Sequence, residues 1–211
     1  MSTFIWDESI RHFLQQAGSA EPTPGGGSVA ALVAALGASM TSMVGNLSQG
    51  EKFAQIRPQI DDIIGQMSRS IAECEELLQA DIASFDQYMA ALKLRKSTDE
   101  EKLFRSRAIQ EAAILAIDVP LRLIEVCRMG MACTHSIAES SNKNVISDLG
   151  IGAILFDAAA QSALLTVEIN LASLKDPELK RQYADKASLL IREIADLKSS
   201  TLQIARKRIG Q

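Results

Sequence analysis

Apolar positions along the chain recur at steps of three and four, and no segment alternates over the length of a strand. Ile10, Phe13, Leu14 and Ala17 mark a short first helix, which Gly18 closes. The run Glu21-Pro22-Thr23-Pro24-Gly25-Gly26-Gly27-Ser28 then breaks regular structure. Everything between Glu21 and Glu51 is uncharged, which predicts a second helix buried on all sides. Ala30, Ala34, Gly37, Ala38 and Gly45 would let its neighbours come close. A third helix opens at Arg57-Pro58, where Pro suits the first turn. Its seam runs through Ile60, Ile63, Met67, Ile71, Cys74 and Leu78, then Phe85, Met89 and Leu92, ending near Leu94. The seam position between Leu78 and Phe85 is Asp81.

Thr98 and Glu101 form a capping box for a fourth helix reaching about Glu139, with Pro120 expected to kink or split it near Asp118. A polar stretch from Ser140 to Ser147 precedes a fifth helix, from about Asp148 to Leu174, interrupted only by Asp157 and Glu168. Asp176-Pro177-Glu178 supplies a cap, a first-turn Pro and a first-turn acid for the last helix, which runs to Ile209. The expected fold is all-α: one domain over residues 1–211, an antiparallel bundle of about six helices, one or two of them long. The glycine-rich loop precedes a buried central helix, and the second and fifth helices are central.

Composition narrows the function classes. With 47% apolar and 23% charged residues, the chain can build a core and is not a disordered one. A net charge of −4 offers no basic field for phosphates, so nucleic acid is not an expected partner. The uncharged second helix is long enough to span a bilayer. Its Ala, Gly, Ser, Thr and Met content, the closing Asn46 and Gln49, and the lack of a basic flank favour a packed core over a membrane. Cys74, Cys127 and Cys133 form no CxxC pair, and only His12 and His135 offer imidazole, so no metal site is expected. The start, with Trp6-Asp7-Glu8, lacks a basic region followed by an apolar one, and a reducing cytoplasm is the expected setting.

Four features carry candidate chemistry, each beside a plainer reading. Gly25, Gly26, Gly27 and Ser28 open a helix whose free amides and dipole favour an anion; the alternative is a tight turn. Asp81 sits in an apolar seam near Phe85 and Tyr88, where burial raises a carboxyl pKa towards that of a general acid or base. It would equally serve as an ion-pair partner or a cap. Asn142-Lys143-Asn144 and Ser147-Asp148 stand at the start of the fifth helix, where Ser147 and Asp148 would also suit ordinary capping. Asn170, near that helix's other end, needs a hydrogen-bond partner from another helix or a ligand. His135 has no acidic neighbour to orient it and reads as structural, and no cysteine adjoins a cationic cluster.

Pro22-Thr23-Pro24-Gly25-Gly26-Gly27-Ser28-Val29-Ala30-Ala31 resembles the signature of the formimidoyltetrahydrofolate cyclodeaminase and methenyltetrahydrofolate cyclohydrolase family. The likeness continues in order through Asp81…Phe85, Ala91-Leu92-Lys93-Leu94, Arg107 to Ala112, Val119-Pro120-Leu121, Asn142 to Asp148 and Ile169-Asn170-Leu171. It departs at Arg95, where the family usually has Pro, and at Thr166, where it usually has Asn. The resemblance implies a helical homodimer acting on a one-carbon unit carried by tetrahydrofolate, without metal or redox cofactor. Cyclodeamination is the leading expectation; cyclohydrolysis, or folate binding without turnover, is the alternative. It further implies Asp81 and Asp148 as the proton-transfer pair, in either order, with Asn170 orienting substrate. Phe85 and Tyr88 would wall the aminobenzoyl ring, and the Gly25–Ser28 turn or Lys93 would take the anionic tail. Asn144 and Ser147 join the binding set.

Overall fold

The computed structural model describes residues 5–210. Six α-helices follow in order: α1 (Ile10–Ala17), α2 (Gly26–Asn46), α3 (Arg57–Lys93), α4 (Asp99–Ser136), α5 (Ile146–Leu171) and α6 (Pro177–Ile209). Short 3-10 turns precede α1, α3 and α5, and no strand occurs among the described residues. Three helices are long, at 37, 38 and 33 residues, where one or two were expected. The start signals operate as read. Thr98 Oγ1 accepts from the Glu101 amide while the Glu101 carboxylate accepts from the Thr98 amide. Asp176 accepts from the amides of Glu178 and Leu179.

Helices α2 and α5 pack on each other, flanked by α3, α4 and α6. Missing side chains allow this closeness. A Cβ on Gly130 of α4 would lie 2.2 Å from the buried Phe156 ring of α5, and one on Gly37 of α2 would lie 3.2 Å from the same ring. Beside it, the buried hydroxyls of Thr41 and Thr134 pair at 2.7 Å, joining α2 to α4. His135 bonds Thr201 across α4 and α6, in line with a structural role.

Two expectations change. Ile137 caps α4, so that helix stops short of Glu139, and Pro120 does not split it. Nor is α2 buried on all sides: Val29, Leu36 and Leu47 are exposed, as are Ile151, Ile154, Leu165 and Ile169 of α5. Both helices are long and apolar enough to cross a membrane by length and composition. The inward side of each is taken up by packing, and the outward side leaves these apolar residues exposed.

Candidate active site

The glycine turn, the C-terminal half of α3 and the C-terminal end of α5 converge on a cleft of about 400 Å³. That is within the range of small-molecule sites. Gly25, Gly26, Gly27, Asp81, Phe85, Tyr88 and Asn170 all line it, although 143 residues separate the last from Gly27 in the chain.

Asp81 is its central polar group. The Ser28 hydroxyl donates to Asp81 Oδ2 at 2.9 Å. Gly25 caps α2 without a side-chain acceptor, so the first-turn amides and the positive end of the helix dipole face this carboxylate. The anion expected at the turn is therefore supplied partly by the protein. Gly27 makes the approach possible, since a Cβ there would lie 2.1 Å from Asp81 Oδ1. Burial pushes the Asp81 carboxyl above the usual carboxylate range, and the hydrogen bonds from Ser28 pull against that rise. Among the described residues, no Lys, Arg or His lines the cleft to neutralise it. A carboxylate raised by desolvation and held by one hydroxyl is suited to accepting and returning a proton.

Asn170 owes its position to Pro120. Proline lacks the amide that would bond the carbonyl four residues earlier, which is Ala116. Asn170 Nδ2 donates to that carbonyl at 2.8 Å. One side of the amide thus repairs α4, leaving Oδ1 as an acceptor at the cleft. Tyr88 Oη pairs with Ser173 Oγ at 2.9 Å. Gln110 holds the same α5–α6 connection twice, donating to the Ser173 carbonyl and accepting from the Lys175 amide.

Residues 9–189 match the family described as Formiminotransferase-cyclodeaminase. The chain belongs to that family. It is 33% identical over 205 residues to a methenyltetrahydrofolate cyclohydrolase from Methylorubrum extorquens, covering 97% of this chain and 99% of that protein. To the formimidoyltransferase-cyclodeaminase of Rattus norvegicus it is 34% identical over 190 residues, covering 90% of this chain. It spans about a third of that longer protein, 35%. The crystal structure of a formiminotetrahydrofolate cyclodeaminase from Thermotoga maritima shares the fold, with a TM-score of 0.88 at 24% identity. That match covers 96% of this chain and 98% of the other.

The remaining family-motif residues lie elsewhere. Lys93 is exposed at the end of α3, about 7–8 Å further along the axis than Tyr88. Asn144, Ser147 and Asp148 occupy the opposite end of α5, Asp148 standing about 33 Å from Asn170 along one helix. Ser147 does not cap α5; Val145 occupies the cap position, and Asn142 bonds the Asn144 amide and the Leu47 carbonyl instead. The cleft also contains residues that periodicity does not single out, among them Thr23, Ser84, Ala116 and Ser173. Ala116 was open to inference, because Pro120 orphans its carbonyl. Thr166 Oγ1 turns back to the Ser162 carbonyl of its own helix.

Proposed function

We propose that this protein is a formimidoyltetrahydrofolate cyclodeaminase, a single helical domain that works as a cytoplasmic homodimer. The observation that carries the reading is Asp81: a desolvated carboxyl without a cation, presented in a folate-sized cleft beside Phe85 and Tyr88. Family membership supports the substrate class. All three cysteines are free and buried, in keeping with a reducing compartment.

In the reaction, N10 attacks the formimidoyl carbon on N5 and forms the new C–N10 bond. The N10 proton passes to a carboxylate base. The substrate reacts as its amidinium ion, so the attacked carbon's former imino nitrogen already carries two protons; it receives a third and departs as ammonia with its bonding electron pair, leaving the 5,10-methenyl cation. These steps move protons and a C–N bond, and the chemistry calls for neither a redox cofactor nor a metal. Asp81 is the proton carrier inside the cleft and Asp148 the second. Asn170 Oδ1 accepts from the pterin edge, and Phe85 and Tyr88 wall the aminobenzoyl ring. The Gly25–Ser28 turn, Lys93, Asn144 and Ser147 complete the binding set. No nucleic acid or membrane partner is part of this reading.

Methenyltetrahydrofolate cyclohydrolase is the second reading, favoured by the relative matched along nearly its whole length. Ultraviolet absorbance of the methenyl product separates the two. Enzyme-dependent growth of that band from the formimidoyl substrate supports the cyclodeaminase. Accelerated decay of added methenyltetrahydrofolate, without growth from the formimidoyl compound, supports the cyclohydrolase. Binding without either change refutes both activities.

A further inference from the structure

Among the described residues lining the cleft, α4 supplies Ala116 alone, yet that helix holds the segments that form the walls. Asn170 is tied to its Ala116 carbonyl. Gln110, about 9 Å earlier along the same helix and outside the cleft, meets the connection between α5 and α6. It belongs to the stretch Arg107 to Ala112, to which the proposed reaction gives no task.

The connection, residues 172–175, turns back on the end of α5. The Ser173 amide donates to the Asn170 carbonyl at 3.0 Å and the Leu174 amide to the Leu171 carbonyl at 3.3 Å. The Ser173 carbonyl and the Lys175 amide are left with no backbone partner among the described residues. One planar carboxamide serves both. Gln110 Nε2 donates to the Ser173 carbonyl at 2.9 Å, and Gln110 Oε1 accepts from the Lys175 amide at 2.8 Å. The Lys175 ammonium donates to Ser106 Oγ at 2.7 Å, one turn back along α4, so successive turns of that helix grip the connection. The task needs a donor and an acceptor on one rigid group. A carboxylate supplies acceptors alone, and an apolar side chain supplies neither.

What this clamp fixes is a wall of the cleft. Ser173 lines it, and its hydroxyl pairs with Tyr88 Oη at 2.9 Å, tying the connection to α3. Freed of that tie, the Tyr88 ring gains the other rotamers open to it. Asp81 is held separately, by Ser28 at the start of α2. The path from Gln110 through Ser173 to Tyr88 therefore reaches the substrate wall without passing through the proton carrier.

We infer that Gln110 is a positioning residue for substrate binding: it holds Ser173, and through Ser173 the Tyr88 ring, where the substrate's aromatic segment is received. The identity of that segment rests on the folate reading above; the path from Gln110 to Tyr88 does not.

Two measurements test it, each on variants shown by circular dichroism to be folded. The first needs no substrate. The chain has 2 tyrosines, so isotopic labelling at tyrosine Cζ gives a pair of NMR signals, and Tyr183→Phe identifies the one from Tyr88. Gln110→Met should move the Tyr88 signal in the direction that Ser173→Ala moves it. A Tyr88 signal that stays in place overturns the inference. The second measurement is kinetic. Loosening the wall by about one net hydrogen bond should raise KM by about three- to tenfold in Gln110→Met, with kcat within about threefold of the wild type. Ser173→Ala cuts the same path, so the double variant should be no worse than the poorer single one, and KM effects that multiply overturn the inference. Gln110→Glu adds a rescue. Near neutral pH its carboxylate sets an acceptor against the Ser173 carbonyl, which raises KM and also raises the introduced carboxyl's pKa. Once protonated, the group again carries a donor and an acceptor. Its KM relative to the wild type at the same pH should therefore fall back as the pH is lowered through that pKa, and a ratio independent of pH overturns the inference. If the Tyr88 signal responds but no folate is turned over, the proposed activity alone fails. A folate-active enzyme whose Tyr88 is indifferent to Gln110 removes the positioning role alone.

Discussion

Gly27→Ala separates the placement of Asp81 from the stability of the fold. The added Cβ would lie 2.1 Å from Asp81 Oδ1, 2.6 Å from Cγ and 2.8 Å from Oδ2, so the whole carboxylate must withdraw by more than about 1 Å. The 2.9 Å bond from Ser28 does not survive that movement. A hydrogen bond to a charged group contributes about 1.5–3 kcal/mol. Ala in place of Gly returns up to about 1 kcal/mol in a helix, and the displaced carboxylate regains water. The net destabilisation is therefore about 0.5–2 kcal/mol, measured by urea unfolding followed by circular dichroism. Activity should fall much further, because a misplaced proton carrier forfeits about 10²–10⁴-fold in rate. Gly26→Ala, whose Cβ would meet nothing within 4 Å, is the control for stability. A Gly27→Ala enzyme folded like the wild type and within threefold of its kcat/KM would refute the role given to Asp81.

Further variants probe the supports of the cleft and the packing of the bundle. Asn170→Leu strips the Ala116 carbonyl of its donor and should cost about 1–3 kcal/mol in urea unfolding. Adding Pro120→Ala restores a backbone amide to that carbonyl and should recover at least half the loss; an additive result would contradict the pairing. Ser28→Ala removes a donor that holds the Asp81 carboxyl down, so the acidic limb of the kcat/KM–pH profile should move to higher pH, and an unmoved limb counts against the link. The sign for stability follows from the same shift. The folded chain holds the Asp81 proton longer than the unfolded chain, so stability is undiminished below the ordinary Asp range and falls as pH rises through the raised pKa. Asp81→Asn should flatten that slope. Gly130→Ala drives a methyl into the buried Phe156 ring and should destabilise by about 1–3 kcal/mol or more, the full amount visible in the unfolding midpoint.

Helix positions followed from features that act within a few residues: the Thr98–Glu101 box, the Asp176 cap, and the steps of three and four along α3. The gathering of Gly25–Gly27, Asp81, Phe85, Tyr88 and Asn170 was partly visible too, because an acid in an apolar seam and an amide in an apolar helix each need an explanation. What was not visible depends on packing between distant segments. The pattern of α2 is the same whether a helix is enclosed by its own chain or faces a second one, so the open face of Val29 and Leu36 could not be told from core. Nor does spacing distinguish the two ends of α5, which is why Asp148 and Asp81 read as one site although one chain holds them apart. The tie between Asn170 and Ala116 was implicit in Pro120, since a missing amide four residues on leaves a carbonyl that some donor must meet.

In the proposed reaction a proton leaves and returns through the carboxyl group of Asp81. Asp81→Asn keeps the shape and removes the titrating group, so the decisive measurement is its single-turnover rate of methenyl formation from saturating formimidoyltetrahydrofolate, with substrate affinity measured separately. That rate should fall by about 10²–10⁴-fold, with affinity changed by no more than a few fold. A variant that binds folate and forms the methenyl product at the wild-type rate would contradict it.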